Sequence, residues 1–303
     1  MPGRPVIRAR NLRKRFDELT AVDGIDFEVN AGECFGILGP NGAGKTSTMR
    51  MLYDFSPRTS GALEVFGLDP ATEGVRLRQV IGVVQQSNNL DFELTVRENL
   101  EVYGGYYGLR GRQLRERLAE LLPSMELSEK AESRIKQLSG GMQRRLVILR
   151  ALVHQPRLVI FDEPTTGLDP QARHQIWAVL RKLTAEGVTV VLTTHYMDEA
   201  ERLCDRLVIM DRGKILHRGA PDKLIAEHLP RLVLEVGSRD LDGGWRESGL
   251  AFEHYGDRVF FMAGEESEFS RVPYLPGSRK GILRPANLED LFLKLTGRTL
   301  IDE

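Results

Sequence analysis

The sequence predicts an α/β protein. Its core is a central, largely parallel sheet, joined by an antiparallel β region at the N-terminal side, a helical insert and a small α+β appendage. Three observations predict this. Short, continuously apolar runs recur at "ECFGILG" (Glu33–Gly39), "RLVIFDE" (Arg157–Glu163) and "VTVVLTTH" (Val188–His195), and such runs suit parallel strands buried on both faces. Between the last two lies "DPQARHQIWAVLRKL", where Ala172, Ile176, Val179, Leu180 and Leu183 share one helical face. After about Pro221 this alternation stops and shorter, separate strands follow.

Taken in order, "VIRARNLRKRF" and "GIDFEV" predict antiparallel strands ahead of the core. From about residue 87 to 137 the chain turns helical and polar, opening on "TVRE" (Thr95–Glu98), a capping box. In "LSGGMQRR" (Leu138–Arg145), Ser139 is a good N-cap, and Met142, Leu146, Leu149 and Val153 continue at helical spacing. Two adjacent glycines, Gly140 and Gly141, at a helix start each cost roughly 1 kcal/mol relative to alanine. That helix end therefore reads as bare, positive and offered to a negative ligand. Asp169 can cap the next helix, with Pro170 at its first position. "RLVIMDRGKILHRG" predicts a hairpin about Arg212–Gly213. "RLVLEVG" and "DRVFFMAG" are strands, and "NLEDLFLKL" is a helix capped by Asn287, with Leu288, Leu291, Phe292 and Leu295 on one face. The expected division is 1–220 for the main domain and 221–303 for the appendage.

Composition narrows the function. Lys plus Arg is 42 against 43 for Asp plus Glu, so no basic excess points to nucleic acid. Cys34 and Cys204 lie far apart without a CxxC spacing, which argues against a disulfide framework or zinc site and for two small buried apolar residues. No run approaches the roughly 18 apolar residues of a membrane span. The N-terminus "MPGRPVIRAR" lacks the apolar core of a signal peptide. A membrane role therefore requires another chain to supply the span.

Two motifs carry chemistry. "GPNGAGKTS" matches G-x4-GK-[ST] through Gly39, Gly44, Lys45 and Thr46, between a predicted strand and a helix. Its glycines let backbone N–H groups wrap phosphate oxygens, Lys45 reaches the outer phosphates, and the Thr46 hydroxyl suits Mg²⁺. "LVIFDEP" sets Asp162 and Glu163 at the C-terminal end of a buried strand, where ligands of open α/β sheets bind. Asp162 suits Mg²⁺ through its water shell, and Glu163 suits orienting or deprotonating an attacking water. Phe16, Gln86 and His195 are unremarkable singly and gain weight only from their order.

Phosphate loop, glutamine, "LSGGMQ", "DEPTTGLD" and histidine, in this order over roughly residues 6 to 220, resemble an ABC-type ATP-binding subunit. The resemblance implies ATP contacts at Phe16 (stacked on adenine), Gly39, Asn41, Gly42, Gly44, Lys45, Thr46 and Ser47. It implies Gln86 as the link between Mg²⁺ and the insert, and His195 at the γ-phosphate. "VVQQ" lacks the proline many relatives carry, so Gln85 or Gln86 could be that link, with spacing favouring Gln86. It further implies a head-to-tail dimer, most simply of identical chains, in which Ser139, Gly140, Gly141 and Asp169 face the nucleotide of the other subunit.

"NNLDFELTVRENL", "TTHYMDEAERLCDRL" and "RPANLEDLFLKLTGR" extend the likeness to the ATPases of nodulation-factor (lipo-oligosaccharide) and drug exporters. This implies a separate integral membrane permease, a hydrophobic or lipid-linked cargo, and a peripheral position on the cytoplasmic face of the inner membrane. The alternative is a soluble ABC ATPase acting on a non-transport complex. Its translation members usually fuse two ATP-binding domains, and its repair members carry long coiled coils; neither feature occurs here.

Overall fold

The computed structural model describes residues 5–276 and 281–296. Residues 297–303 of the expected appendage, including the close of "RPANLEDLFLKLTGR", lie outside the described residues.

Among the described residues the strands form three sheets. The first is antiparallel, with β1 (Ile7–Phe16) between β2 (Leu19–Val29) and β4 (Ser60–Val65). Ile7, Ala9 and Leu12 of β1 are all buried, which strict alternation forbids. A register shift between Ala9 and Leu12, with Asn11 at φ 46°, resets the phase so that Leu12 returns to the core side.

The second sheet runs β5 (Ile81–Val84), β6 (Leu158–Asp162), β7 (Thr189–Thr194), β3 (Cys34–Leu38), β8 (Arg206–Asp211) and β9 (Lys214–Gly219). Its pairings are parallel up to β8 and antiparallel between β8 and β9. Every residue of β3, β6 and β7 is buried, as their unbroken apolar runs predict. Cys34 and Cys204 are both free and buried.

Helix α1 (Lys45–Leu52) follows β3 directly, and α2 (Pro70–Arg78) precedes β5. The insert holds α3 (Val96–Tyr106) and α4 (Gly111–Ser124). The Thr95/Glu98 capping box is formed. Helix α5 (Gly140–Leu152) begins on Ser139, whose Oγ accepts from Met142 N at 3.3 Å. Helix α6 (Pro170–Ala185) begins on Asp169, whose Oδ1 accepts from Ala172 N at 2.9 Å. After β7 come α7 (Met197–Leu203) and, beyond β9, α8 (Pro221–His228).

The third sheet is antiparallel, in the order β11 (Ala251–Tyr255), β12 (Arg258–Ala263), β10 (Leu232–Gly237), β13 (Ile282–Pro285). It has a small core of its own around Trp245, Phe261 and Phe269. Helix α9 (Leu288–Thr296) does not join that core. Asn287 Oδ1 caps it by accepting from Asp290 N at 3.1 Å. Leu288, Leu291 and Phe292 belong instead to the large cluster shared with Leu203, Leu224 and Leu207.

Candidate nucleotide site

The loop between β3 and α1 turns on Gly44, at φ 100°. A Cβ there would meet the Ala21 carbonyl oxygen at 2.3 Å, so only glycine lets the first turn of α1 seat against β2. The loop curls around the Lys45 side chain, whose Nζ donates to the carbonyls of Gly39 at 2.8 Å and Pro40 at 3.0 Å. Asn41, Gly42, Gly44, Lys45, Thr46 and Ser47 line a pocket of about 480 Å³ together with Phe16, Gln86, Glu163 and Arg212. Phe16 stands at its rim, 44% exposed, with Lys14 Nζ 4.6 Å from its ring centre. A half-exposed aromatic of this kind offers a flat face to a heterocycle.

Strand β6 delivers the acids. Thr46 Oγ1 donates to Asp162 Oδ1 at 3.0 Å, and Thr193 Oγ1 donates to the same oxygen at 2.7 Å. Thr193 Oγ1 in turn accepts from Glu163 N at 3.0 Å. Glu163 takes φ 48°, a left-handed conformation that costs a non-glycine residue about 1–2 kcal/mol. Such strain concentrates at functional positions, and here it turns the Glu163 side chain back over the pocket.

Around Glu163 gather four partners. Oε1 lies 3.5 Å from Lys45 Nζ and 3.4 Å from His195 Nδ1; Oε2 accepts from Thr166 Oγ1 at 3.1 Å and Gln86 Nε2 at 3.3 Å. The His195 approach lacks hydrogen-bond alignment. Burial pushes the Glu163 carboxyl up, but His195, Lys45 and Thr166 outweigh it and hold it down to about 2. Burial pushes the Lys45 ammonium down, against the opposing pull of Glu163 and Asp162.

Gln86 Nε2 reaches Glu163 Oε2 at 3.3 Å, whereas Gln85 Oε1 accepts from Asn89 Nδ2 at 2.8 Å. Ser139, Gly140, Gly141 and Asp169 are not among the residues that line the pocket. Sequence reasoning assigned no role to Arg144, which is buried behind the acids. Its signal was present: Arg144, Ile148 and Ala151 fall on one helical stripe, so a cation stands in an apolar series.

A strand–glycine loop–helix, a lysine under that loop and two acids at the end of β6, one strand removed across β7, define an ATP-hydrolysing cassette. The chain belongs to the ABC transporter family, among the Nod factor export ATP-binding proteins. The family model described as "ABC transporter" matches residues 22–166, and one described as "Nodulation factor export protein NodI, C-terminal domain" matches residues 241–297. The chain is 44% identical to Nod factor export ATP-binding protein I of Ralstonia nicotianae, over 98% of this chain and 96% of that one. It is 43% identical to the protein of the same name from Cupriavidus metallidurans, over 98% and 99% respectively. Among solved structures, the ATP-binding subunit of an ABC transporter matches with a TM-score of 0.67 and 29% identity, over 73% of this chain and 92% of that one. A dimeric, post-hydrolysis ATP-binding cassette bound to ADP and Pi matches with a TM-score of 0.64 and 28% identity, over 71% and 98%. The protein is therefore an ATPase, the ATP-binding subunit of an ABC transporter. No helix among the described residues is long and apolar enough to cross a membrane.

Proposed function

We propose that two copies of this chain close head to tail around two ATP molecules and drive a separate membrane permease that exports a hydrophobic or lipid-linked cargo. In this reading residues 1–220 form the motor, the insert at about 87–137 docks on the permease at the cytoplasmic face of the inner membrane, and residues 221–303 form an accessory module. Phe16 stacks on adenine, and the backbone from Gly39 to Ser47 wraps the phosphates. Lys45 leaves its carbonyl partners for the outer phosphates. Glu163 orients and deprotonates the attacking water, while His195 contacts the γ-phosphate.

The residues present fit a magnesium ion. Thr46 and Asp162 bring a hydroxyl and a carboxylate oxygen within 3.0 Å of each other beside the phosphate loop, and Gln86 adds an amide in contact with the adjacent Glu163. When bound, Mg²⁺ would neutralise charge on the phosphate oxygens.

The observation that carries the dimer reading is the pair Gly140–Gly141. Neither adopts a positive φ. A Cβ on Gly140 would meet nothing within 4 Å, and one on Gly141 only the Ala172 Cβ at 3.3 Å. The chain's own packing thus gives little reason for two helix-weakening glycines, whereas an anion approaching the bared N–H groups of α5 does. Ser139, Gly140, Gly141 and Asp169 then complete the site around the partner's Lys45. Export is supported by the names of the relatives. Affinity purification from gently solubilised membranes tests it: a stoichiometric multi-span chain is expected. Recovery with ribosomes, nucleic acid or no partner would leave an ATPase and remove the transport claim.

A further inference from the structure

Arg144 lies on α5, one turn beyond the glycine pair, and is 4% exposed. Its guanidinium meets no carboxylate at hydrogen-bond distance among the described residues; it is spent entirely on backbone carbonyls. Nε donates to Pro164 O at 2.8 Å. Nη1 donates to Gln85 O at 2.6 Å and Gln86 O at 3.2 Å. Nη2 donates to Asp162 O at 3.3 Å and Glu163 O at 3.2 Å. All of these carbonyls belong to the two segments that aim Gln86 and Glu163 at the pocket. A planar fork with five donors is the one side chain able to hold both segments at once.

We propose that Arg144 is a positioning residue: it fixes the backbone of the Gln86 and Glu163 segments to α5, so that a shift of the α5 N-terminus moves the chain's own hydrolytic groups. The part of this that concerns the other subunit rests on the dimer reading above. When the partner's phosphate draws on the N–H groups of Gly140 and Gly141, α5 moves as a rigid rod, and Arg144 carries that displacement into the Glu163 carbonyl within one turn. Such a link makes hydrolysis depend on closure without any side chain of α5 touching the water. Arg144 does not reach the nucleotide pocket, so its loss acts on the aim of Glu163 rather than on ATP affinity.

Arg117 supplies an internal control. It too is a part-buried arginine donating to backbone carbonyls, but at the far end of α5, Leu152 O at 2.8 Å and the capping Val153 O at 3.2 Å, and it also pairs with Glu120 at 2.7 Å. The experiment compares Arg144→Gln, Arg144→Lys and Arg117→Gln in the full-length protein, reading kcat and KM for ATP and the melting temperature. Arg144→Gln is expected to lower kcat about tenfold or more with KM within about threefold, since small misplacements of a hydrolytic group cost this much. Arg117→Gln is expected to lower the melting temperature comparably and to leave kcat within about twofold. Equal kcat losses in both variants would reduce Arg144 to a structural brace, and an unchanged kcat in Arg144→Gln would overturn the proposal. Should Arg144→Gln fail to fold, Arg144→Lys decides: it keeps the charge but cannot span both segments, so wild-type kcat there overturns the proposal equally. The dimer reading stands apart, tested by sizing Glu163→Gln with ATP. A monomer there removes the transmission between subunits, while the kcat against KM split still reports the tether within one chain.

Discussion

Lys45 Nζ stands 3.5 Å from Glu163 Oε1, with the two side chains only 5% and 8% exposed. The cation and the carboxylate to which the proposed function gives phosphate and water are thus held by each other at the floor of one pocket. In the proposed reading, phosphate oxygens compete for Lys45 and so release one of the contacts that hold the Glu163 carboxyl down to about 2. A carboxylate that acidic is a poor base, and losing the lysine raises its basicity when the substrate arrives.

Replacing Glu163 by glutamine keeps the shape and the contacts to Thr166 and Gln86 while removing the charge. We expect ATP binding to persist and kcat to fall about 10²-fold or more, the usual worth of a general base. In sizing experiments with ATP the variant should run as a dimer. Turnover near wild type would remove Glu163 from the chemistry.

Asp162→Asn leaves an oxygen for Thr46 and Thr193 but takes away the formal charge. The Mg²⁺ concentration giving half-maximal ATPase should rise about tenfold, a loss of the order expected for one charged oxygen near a hard cation. An unaltered Mg²⁺ titration with reduced kcat would place the role of Asp162 elsewhere.

Glu199 makes an opposite pH prediction to Glu163. Its side chain is fully buried, and its Oε1 accepts from Thr165 Oγ1 at 2.8 Å and Trp177 Nε1 at 2.9 Å. Burial raises its carboxyl above the ordinary 4.5, against the hydrogen bonds from Thr194, Trp177 and Thr165. A carboxyl raised in the folded state contributes stability below its unfolded value, and that contribution is lost as pH rises through the folded one. Glu199→Gln should therefore melt higher than wild type at pH 8, with the gap shrinking towards pH 5. For Glu163, whose carboxyl is lowered, the contribution is full above 4.5 and lost as pH falls through about 2. A Glu199→Gln gap that ignores pH would show that the buried acid is not what the melting senses.

Phe292→Ala tests where the last described helix belongs. Phe292 is 1% exposed in the large shared core, so truncation should cost about 3–5 kcal/mol in denaturant unfolding. A cost below about 1 kcal/mol would mean that α9 adds little to that core.

Much of this architecture is legible in the sequence because it rests on local rules. The buried strands announce themselves as unbroken apolar runs, and Ser139, Asp169, Thr95 and Asn287 each cap the helix they were expected to cap. The phosphate loop is legible because its glycines answer to backbone geometry, as at Gly44. What escaped has non-local causes. The bulge at Asn11 hides the phase of β1, since two residues there oppose what one would. The partners of Arg144 come from segments about 20 and 60 positions away in the chain, and carbonyl acceptors leave no trace in side-chain identity. Short β4, β5, β11 and β13 and helices α2, α7 and α8 went unread, being too brief for periodicity to stand out.

The placement of α9 also bears on how the chain is made. Its apolar face closes over α7 and α8, which are translated long before it. While residues 229–287 are still emerging from a ribosome, Leu203 and Leu224 wait on an uncovered greasy groove, although the nucleotide pocket is already complete in sequence. The nascent cassette would thus be a client for holding chaperones at a stage when it could already bind ATP, and bound nucleotide would brace it until the cover arrives.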